Sequence, residues 1–323
     1  MRVCTVTARY ARILERSLNR LKFRQLRLLL AVGETGNIQA AARSMNMSQP
    51  AASKMIQDLE IDFEVPLFDR TNRGVIPTPQ GQTLIRHSQL IFAQISNAVQ
   101  EVDDLTEGTS GRVAVGTLLA ASQELLPRAI EIITEQRPQV AIKIIDGTNE
   151  VLMPALRNGE IDLVVGRLPT HRHRVELQQI PLYEESIQLV VGSGHPLAGR
   201  SDVSWEDISA YGWILPPPAT SLRMLIDQFF VDMNQYSPPQ VIESISYLTN
   251  RSLLASSHLI GLLPSSVPKP DIAAGLLTVL PYTLPFGNGA VGITIRSDAG
   301  LSPAAKALIE ALKSAGDQLA GAK

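Results

Sequence analysis

The sequence predicts an α+β multidomain chain: an N-terminal winged helix-turn-helix module, one long linker helix, and a two-lobed α/β body. Three observations predict it. Two short helical patterns and a brief turn lead into a well-capped helix at Ser48, and a hairpin signal around Asn72-Arg73-Gly74 follows. Apolar residues then recur every seven positions between Leu84 and Leu105, with no Gly or Pro among them. Beyond Gly111, short β-rich runs alternate with helical patterns, the βαβ rhythm of a mainly parallel sheet.

A chain of 323 residues is too long for one small core, and 45% hydrophobic residues supply enough apolar surface for several. The net charge of −2 hides an asymmetry. Residues 1–80 hold 12 Lys and Arg against 7 Asp and Glu, while the remainder holds 17 against 24, so a basic module precedes an acidic body. Cys4 is the single cysteine, which leaves no disulfide framework or thiolate metal cluster and suits a reducing cytoplasm. Residues 1–20 carry five arginines but no secretory apolar segment, and no run of about 18 apolar residues occurs in the chain. A soluble cytoplasmic protein without membrane contact is therefore expected. Residues 1–20 themselves are expected to be a poorly ordered extension, because untied termini are usually mobile.

Compact structure is expected from residue 21. Leu26, Leu29 and Leu30 begin the first amphipathic helix, which Gly33 and Gly36 interrupt or end. Ile38, Ala41, Ala42 and Met45 fall at helical spacing, and their small side chains allow close helix approach. After the turn at Asn46-Met47, Ser48 is a good N-cap and Pro50 sits in the first turn, where a missing N–H costs little. Ala52, Met55, Ile56, Leu59 and Phe63 form the buried stripe of this third helix. Gln49, Ser53 and Gln57, with Lys54 beside them, form an outward face that is polar and almost free of negative charge, as a helix reading the DNA major groove requires. The hairpin after it is a wing, with Arg70 and Arg73 near its tip for phosphates or the minor groove.

These residues resemble the LysR-type transcriptional regulators. The resemblance rests on Ala40-Ala41, on Ser48-Gln49-Pro50-Ala51-Ala52-Ser53-Lys54 and Leu59-Glu60, on Leu67-Phe68-Asp69-Arg70 and Arg73-Gly74-Val75, and on Thr78-Pro79-Gln80-Gly81. It implies that Gln49, Pro50, Ser53 and Lys54 read base edges, while Ser48, Arg70 and Arg73 fix the module on the backbone of double-stranded promoter DNA. The family more often has Arg at the position of Lys54, and an ammonium cannot make the bidentate guanine contact open to a guanidinium. The opening Leu21-Lys22-Phe23-Arg24-Gln25-Leu26 is similar to the subgroup that regulates sugar uptake and aromatic-acid breakdown.

The domains are expected at 1–20 (extension), 21–79 (winged helix-turn-helix), 80–107 (linker helix) and 108–323 (effector domain). In the linker, Leu84, Ile91, Ala98 and Leu105 alternate with Ser88, Ile95 and Val102 as an a/d seam. A seam between two domains is better explained by pairing with a second chain than by packing on its own domain. The resemblance implies a dimer through residues 84–105, a homotetramer built as a dimer of dimers, and contact with RNA polymerase. It also implies a periplasmic-binding-protein-like body, with lobe I at about 112–167 and 266–315 and lobe II at about 168–265. The two crossings are expected near Arg167-Leu168-Pro169 and Ser265-Ser266-Val267-Pro268.

A ligand in such a body belongs in the cleft, where strand C-termini and helix N-termini offer N–H groups and a positive dipole end. Candidate effector-binding residues are Thr117, Leu118 and Ser122 after the first strand, Thr148, Thr220, Ser221 and Ser246 at helix entries, and Arg167 where the chain leaves the first lobe. Each Ser or Thr can equally be a plain N-cap, and Arg167 can equally be a hinge arginine. The apolar residues near Leu118 and Pro216 to Pro218, with the helix ends, point to a small acid or a sugar-like effector. His171 and His173 lack the Cys, Asp or Glu that would complete a metal set, Gly192-Ser193-Gly194 lacks the context of a phosphate loop, and no nucleophile motif is present. No cofactor, metal or catalytic residue is expected. Two other classes compete: a solute-binding module, disfavoured by the basic first domain, and an α/β enzyme with an accessory DNA-binding domain, disfavoured by the missing catalytic motif.

Overall fold

The computed structural model describes residues 2–72, 74–107, 111–169, 176–218, 220–234, 238–297 and 300–321. The chain divides into two compact units, Met1–Ser96 and Asn97–Lys323.

The first unit opens with a helix where an ordered element was not expected: α1, Arg2–Arg20. Its order comes from tertiary contacts that a local reading cannot see, since its arginines meet the end of a later helix (below). Three helices follow: α2 (Phe23–Thr35), α3 (Ile38–Ser44) and α4 (Gln49–Phe63). Each boundary has a local cause. Gly36 ends α2 in the left-handed region at φ 63°, donating its N–H to Val32 O. Asn37 caps α3, its Oδ1 accepting from Gln39 N at 2.8 Å and Ala40 N at 3.0 Å. Asn46 takes the left-handed turn between α3 and α4 at φ 51°, a conformation Asn tolerates. Leu28, Leu29, Val32, Ala41, Ala42, Ala52, Ile56, Leu59, Leu67 and Phe68 make the core, so the small pair Ala41-Ala42 does lie at the helix junction.

Strands β1 (Phe68–Thr71) and β2 (Gly74–Pro77) pair antiparallel from Phe68↔Pro77 to Thr71↔Gly74 and form the wing. Two contacts fix its base: Val75 N donates to Gly36 O at 2.8 Å, and Glu60 Oε1 accepts from Leu67 N at 2.8 Å. A Cβ at Gly74 would stand 2.3 Å from Gly36 O, so no larger residue fits this approach. Thr78 Oγ1 accepts from Gly81 N at 3.0 Å and starts α5, Pro79–Glu107.

In the second unit one path of strands runs through two lobes. β3 (Arg112–Thr117), β4 (Ala141–Asp146) and β5 (Leu163–Arg167) are parallel neighbours, and β11 (Asn288–Arg296) joins β5 antiparallel. β6 (Leu177–Gly192) pairs with β11 through its first half and with β9 (Ile260–Pro264) through its second. β9, β7 (Trp213–Leu215) and β8 (Val241–Glu243) continue as parallel neighbours, while β10 (Leu277–Val279) lies on the other edge of β6. Helices α6 (Leu119–Ser122), α7 (Leu125–Gln136), α8 (Asn149–Arg157) and α13 (Pro303–Gly321) belong to lobe I. Helices α9 (Trp205–Ser209), α10 (Ser221–Asp232), α11 (Tyr247–Ser256) and α12 (Lys269–Ala273) belong to lobe II. Each lobe has cores on both sheet faces. Val113, Val165, Ile293 and Leu312 fill one in lobe I, and Leu152, Leu156 and Val164 the other. Trp213, Ile226, Phe230 and Ile260 fill one in lobe II, and Val190, Leu254 and Leu263 the other.

The crossings lie elsewhere than expected. One is inside β6, where the partner changes from β11 to β9 between Ser186 and Ile187, and the other lies between β10 and β11. Leu177–Tyr183 therefore belongs to lobe I, and the segment from Ser265 to Leu284, with Leu277, Leu280 and Leu284 buried, to lobe II. A sixteen-residue strand shared by two sheets carries no Gly or Pro at the changeover for a sequence reading to find.

Candidate nucleic-acid interface and effector cleft

Ser48 stands at the entrance of α4 in an extended conformation, its Oγ accepting from Ala51 N at 3.4 Å. Ala52, Ile56 and Leu59 turn into the core, which leaves Ser48, Gln49, Pro50 and Lys54 exposed and Ser53 half-buried. The first turns of α4 thus present a short-stemmed polar face containing one ammonium and no carboxylate. Arg70 is exposed on β1 of the wing, held in register by the ladder and by Thr71 Oγ1, which donates to Gly74 O at 3.1 Å. Arg73 lies outside the described residues. Glu60 joins reader and wing, since its carboxylate on α4 holds the backbone that enters β1. Sequence reading missed this role. The signal for it was a carboxylate on α4 ahead of buried, backbone-exposing Leu67-Phe68.

In α5, Ser88 is buried with its hydroxyl returned to Leu84 O at 2.7 Å, and Leu84 joins the core of the first unit. Further on, Ile91, Ile95, Val99 and Val102 are exposed, Val99 to 65% and Val102 to 64%. That is one apolar stripe on a helix.

In the second unit, Thr117, Leu118, Thr148 and Arg167 gather at the carboxyl ends of β3, β4 and β5. Thr117 pairs with both Asp146 and Val165, Gly147 N donates to Thr117 O, and Leu118 N donates to Val165 O at 2.9 Å. A Cβ at Gly166 would meet Leu118 Cβ at 2.5 Å, so the close approach of the two strand ends requires glycine there. Thr117 is buried with its hydroxyl on Leu118 O at 3.3 Å, and Ser122 donates to Leu119 O at 2.8 Å. Thr148 precedes α8 without a side-chain cap bond. In lobe II, Thr220 caps α10 by accepting from Arg223 N, and Ser246 caps α11 by accepting from Thr249 N. Ser221 is the first residue of α10. The two lobes meet at Leu119, which packs against the lobe II cluster containing Leu254, Tyr247 and Leu253, and at the Lys269–Glu124 ion pair of 2.9 Å.

The Arg167 guanidinium is held by the carbonyls of the second crossing: Asn288 O at 2.8 Å, Gly287 O at 3.2 Å and Phe286 O at 3.5 Å. Burial lowers its pKa, opposed by the charges of Glu185 and Glu184, and it remains a cation. Beside it the structure places groups the sequence did not single out. Glu185 is 4% exposed on β6 at the changeover, with Oε1 accepting from Ser266 N at 2.8 Å. Glu185 Oε2 and Ser266 Oγ, both buried, have no hydrogen-bond partner among the described residues. Asp271 accepts from Arg251 at 2.6 Å and from the Tyr247 hydroxyl, which ties α11 to α12. These acids gave no sequence signal because their partners lie between 20 and 81 residues away in the chain. His171 to Arg174 lie outside the described residues, and among those described no group of three His, Cys, Asp or Glu could hold a metal.

A basic winged helix-turn-helix joined in one chain to a two-lobed α/β unit defines a two-part, DNA-binding transcription regulator. Residues 23–82 match the bacterial regulatory helix-turn-helix protein, lysR family, and residues 106–317 match the LysR substrate binding domain. The chain belongs to the LysR family of transcriptional regulators. It is 34% identical to the HTH-type transcriptional regulator GbpR of Azospirillum brasilense over 300 residues, covering 92% of this chain and 87% of that one. It is 30% identical to the HTH-type transcriptional regulator PcaQ of Agrobacterium fabrum over 300 residues, covering 93% and 96%. The crystal structure of CbnR, a LysR family transcriptional regulator, shares the fold with a TM-score of 0.59 at 18% identity, over 92% of this chain and 99% of that one. Among the described residues no helix is long and apolar enough to cross a membrane.

Proposed function

We propose that the chain binds promoter DNA as a dimer or dimer of dimers and that a small molecule in the inter-lobe cleft adjusts that binding and the contact with RNA polymerase in the cytoplasm. The observation that carries the DNA half is the exposed, acid-free start of α4 together with Arg70 on a wing tied to α4 by Glu60. Gln49, Pro50, Ser53 and Lys54 read base edges, and Ser48, Arg70 and Arg73 meet the backbone. The exposed stripe Ile91, Ile95, Val99 and Val102 is the pairing seam, which sets two reading helices about 34 Å apart.

The effector half rests on Thr117, Leu118, Ser122, Thr148, Thr220, Ser221 and Ser246, carried on segments from both lobes, with Arg167 bound to the second crossing. In this reading Arg167 acts through the hinge as much as through direct contact, because three carbonyls accept from three of its five N–H donors. A small acid or a polyhydroxylated, sugar-like molecule suits hydroxyls, helix entries and one guanidinium. A thermal-shift screen of sugars, sugar acids and aromatic acids on the full chain tests this. A ligand at about 100 times its Kd adds roughly 2.7 kcal/mol. Ala variants of Thr117, Ser122 and Arg167 keep DNA affinity and lose the response to the hit, and a normal response in all three discards the site.

A further inference from the structure

We infer that α1, which precedes the matched residues 23–82, is a second DNA-contacting element: Arg20 with Lys22 meets phosphates beside the reading helix, and Glu64 latches α1 in place. The inference rests on the promoter-binding reading and extends it.

The latch comes first. Glu64 ends α4 in the left-handed region at φ 56°, so its carboxylate and the last carbonyls of α4 point to one place. Three arginines of α1 converge there. Arg12 makes two bonds to the Glu64 carboxylate, at 2.9 and 3.1 Å, and Arg9 Nε lies 3.4 Å from it. Arg9 also donates to Glu64 O at 3.3 Å, and Arg16 to Ile61 O at 3.1 Å. Cations at a helix C-terminus satisfy carbonyls that have no intrahelical partner.

These pairings also set direction. As α1 advances from Arg12 to Arg16, its partners on α4 retreat from Glu64 to Ile61, so the two helices run antiparallel. The end of α1 therefore reaches the beginning of α4. There Asn19, Arg20 and Lys22 line a groove of about 590 Å³ with Ala51, Lys54 and Met55. The N-terminal part of a recognition helix is the part that meets base edges, so this end of the groove faces the duplex. Arg20, Lys22 and Lys54 are exposed, and among the described residues no ion pair involves them. The acids of the same groove are Asp58 and the buried Asp62, one and two turns further from the reading end. Three cations flanking a reading face are complementary to the phosphates of the strand that borders the groove being read.

The test uses the full chain and a fluorescent mixed-sequence duplex long enough for two half-sites, with affinity measured against salt. Each phosphate contact contributes about 0.9 to the slope of log K against log salt. The double variant Arg20→Gln/Lys22→Gln removes two contacts from each protomer of a dimer on the two half-sites and is expected to lower the slope by about four, which makes the loss of affinity between 50 and 200 mM salt about a hundredfold smaller. Arg20→Lys restores its share, because a phosphate accepts either cation. Glu64→Gln, which touches no DNA, lowers the slope in the same direction by releasing α1, whereas Arg128→Gln on the body leaves it unchanged. A double variant with the parent's slope overturns the inference and leaves α1 a brace on α4. Absence of salt-dependent binding by the parent chain would instead sink the promoter-binding reading itself.

Discussion

Glu60 offers the sharpest test of how reader and wing are coupled. Its Oε1 accepts from Leu67 N at 2.8 Å and from Phe68 N at 3.4 Å, and both residues are buried. Only the first contact lies in the ordinary N–H···O range, so one charge-assisted bond carries the effect. Such bonds contribute about 1.5–3 kcal/mol, and the Ala variant also strands the Leu67 N–H, so Glu60→Ala is expected to cost roughly 2–3 kcal/mol. Glu60→Gln keeps an acceptor and is expected to cost about 1 kcal/mol. In a unit of this size about 1 kcal/mol moves the midpoint by roughly 4–8 °C, so the Ala variant should melt the DNA-binding unit roughly 10–20 °C early. Scanning calorimetry on the full chain reads this directly. The DNA affinity should fall with it, because Arg70 rides on the ladder that Phe68 begins. An Ala variant within about 0.5 kcal/mol of the parent, with unchanged binding to the duplex, would refute the coupling.

Three other outcomes are expected. Ser48→Ala should cost about 0.5–1 kcal/mol, the low end for a cap, because its bond to Ala51 N is long at 3.4 Å. Ser48→Asp should recover that stability yet weaken DNA binding through repulsion of phosphates, and a calorimetric and binding comparison of the pair separates the two roles. Ile95→Glu puts a charge in the exposed stripe of α5 and, with Ile95 38% exposed, forfeits about 1 kcal/mol of burial on each chain, so dimer dissociation should rise more than tenfold; an unaltered mass by light scattering at low concentration would remove the seam. His195 supplies a pH dependence. Burial lowers its pKa, its Nδ1 accepts from Leu197 N at 3.1 Å, and its Nε2 faces His258 O at 3.1 Å, so the folded state holds a neutral ring. Below about pH 6.5 the unfolded chain binds a proton that the folded chain refuses, so the second unit should lose stability as pH falls through that value and level off below the folded pKa. The thermal midpoint should drop less over the same window in His195→Gln, and equal drops would reject the assignment.

How much was legible follows the range of the interactions. Ser48, Thr220 and Ser246 announced helix starts because a cap bonds to N–H groups two or three residues away. The Leu84 to Leu105 spacing announced α5, and the alternation beyond Gly111 announced the strands and helices of the second unit. What failed was long-range. The extension at 1–20 read as loose because Glu64, its partner, lies 52 residues from Arg12. Arg167 read equally as a ligand contact or a hinge arginine, because the carbonyls that hold it lie about 120 residues on.

The winged helix-turn-helix, its polar helix face, the linker helix and the α/β rhythm of the body are legible in the residues alone, since each is a local pattern of caps, turns and hydrophobic period. Folding was needed to show that α1 is an ordered helix latched to α4, that the lobes cross within β6, and that Glu185 and Ser266 are buried at the changeover. Those outcomes depend on which distant backbone groups and charges meet once the chain is folded. No local propensity encodes that meeting.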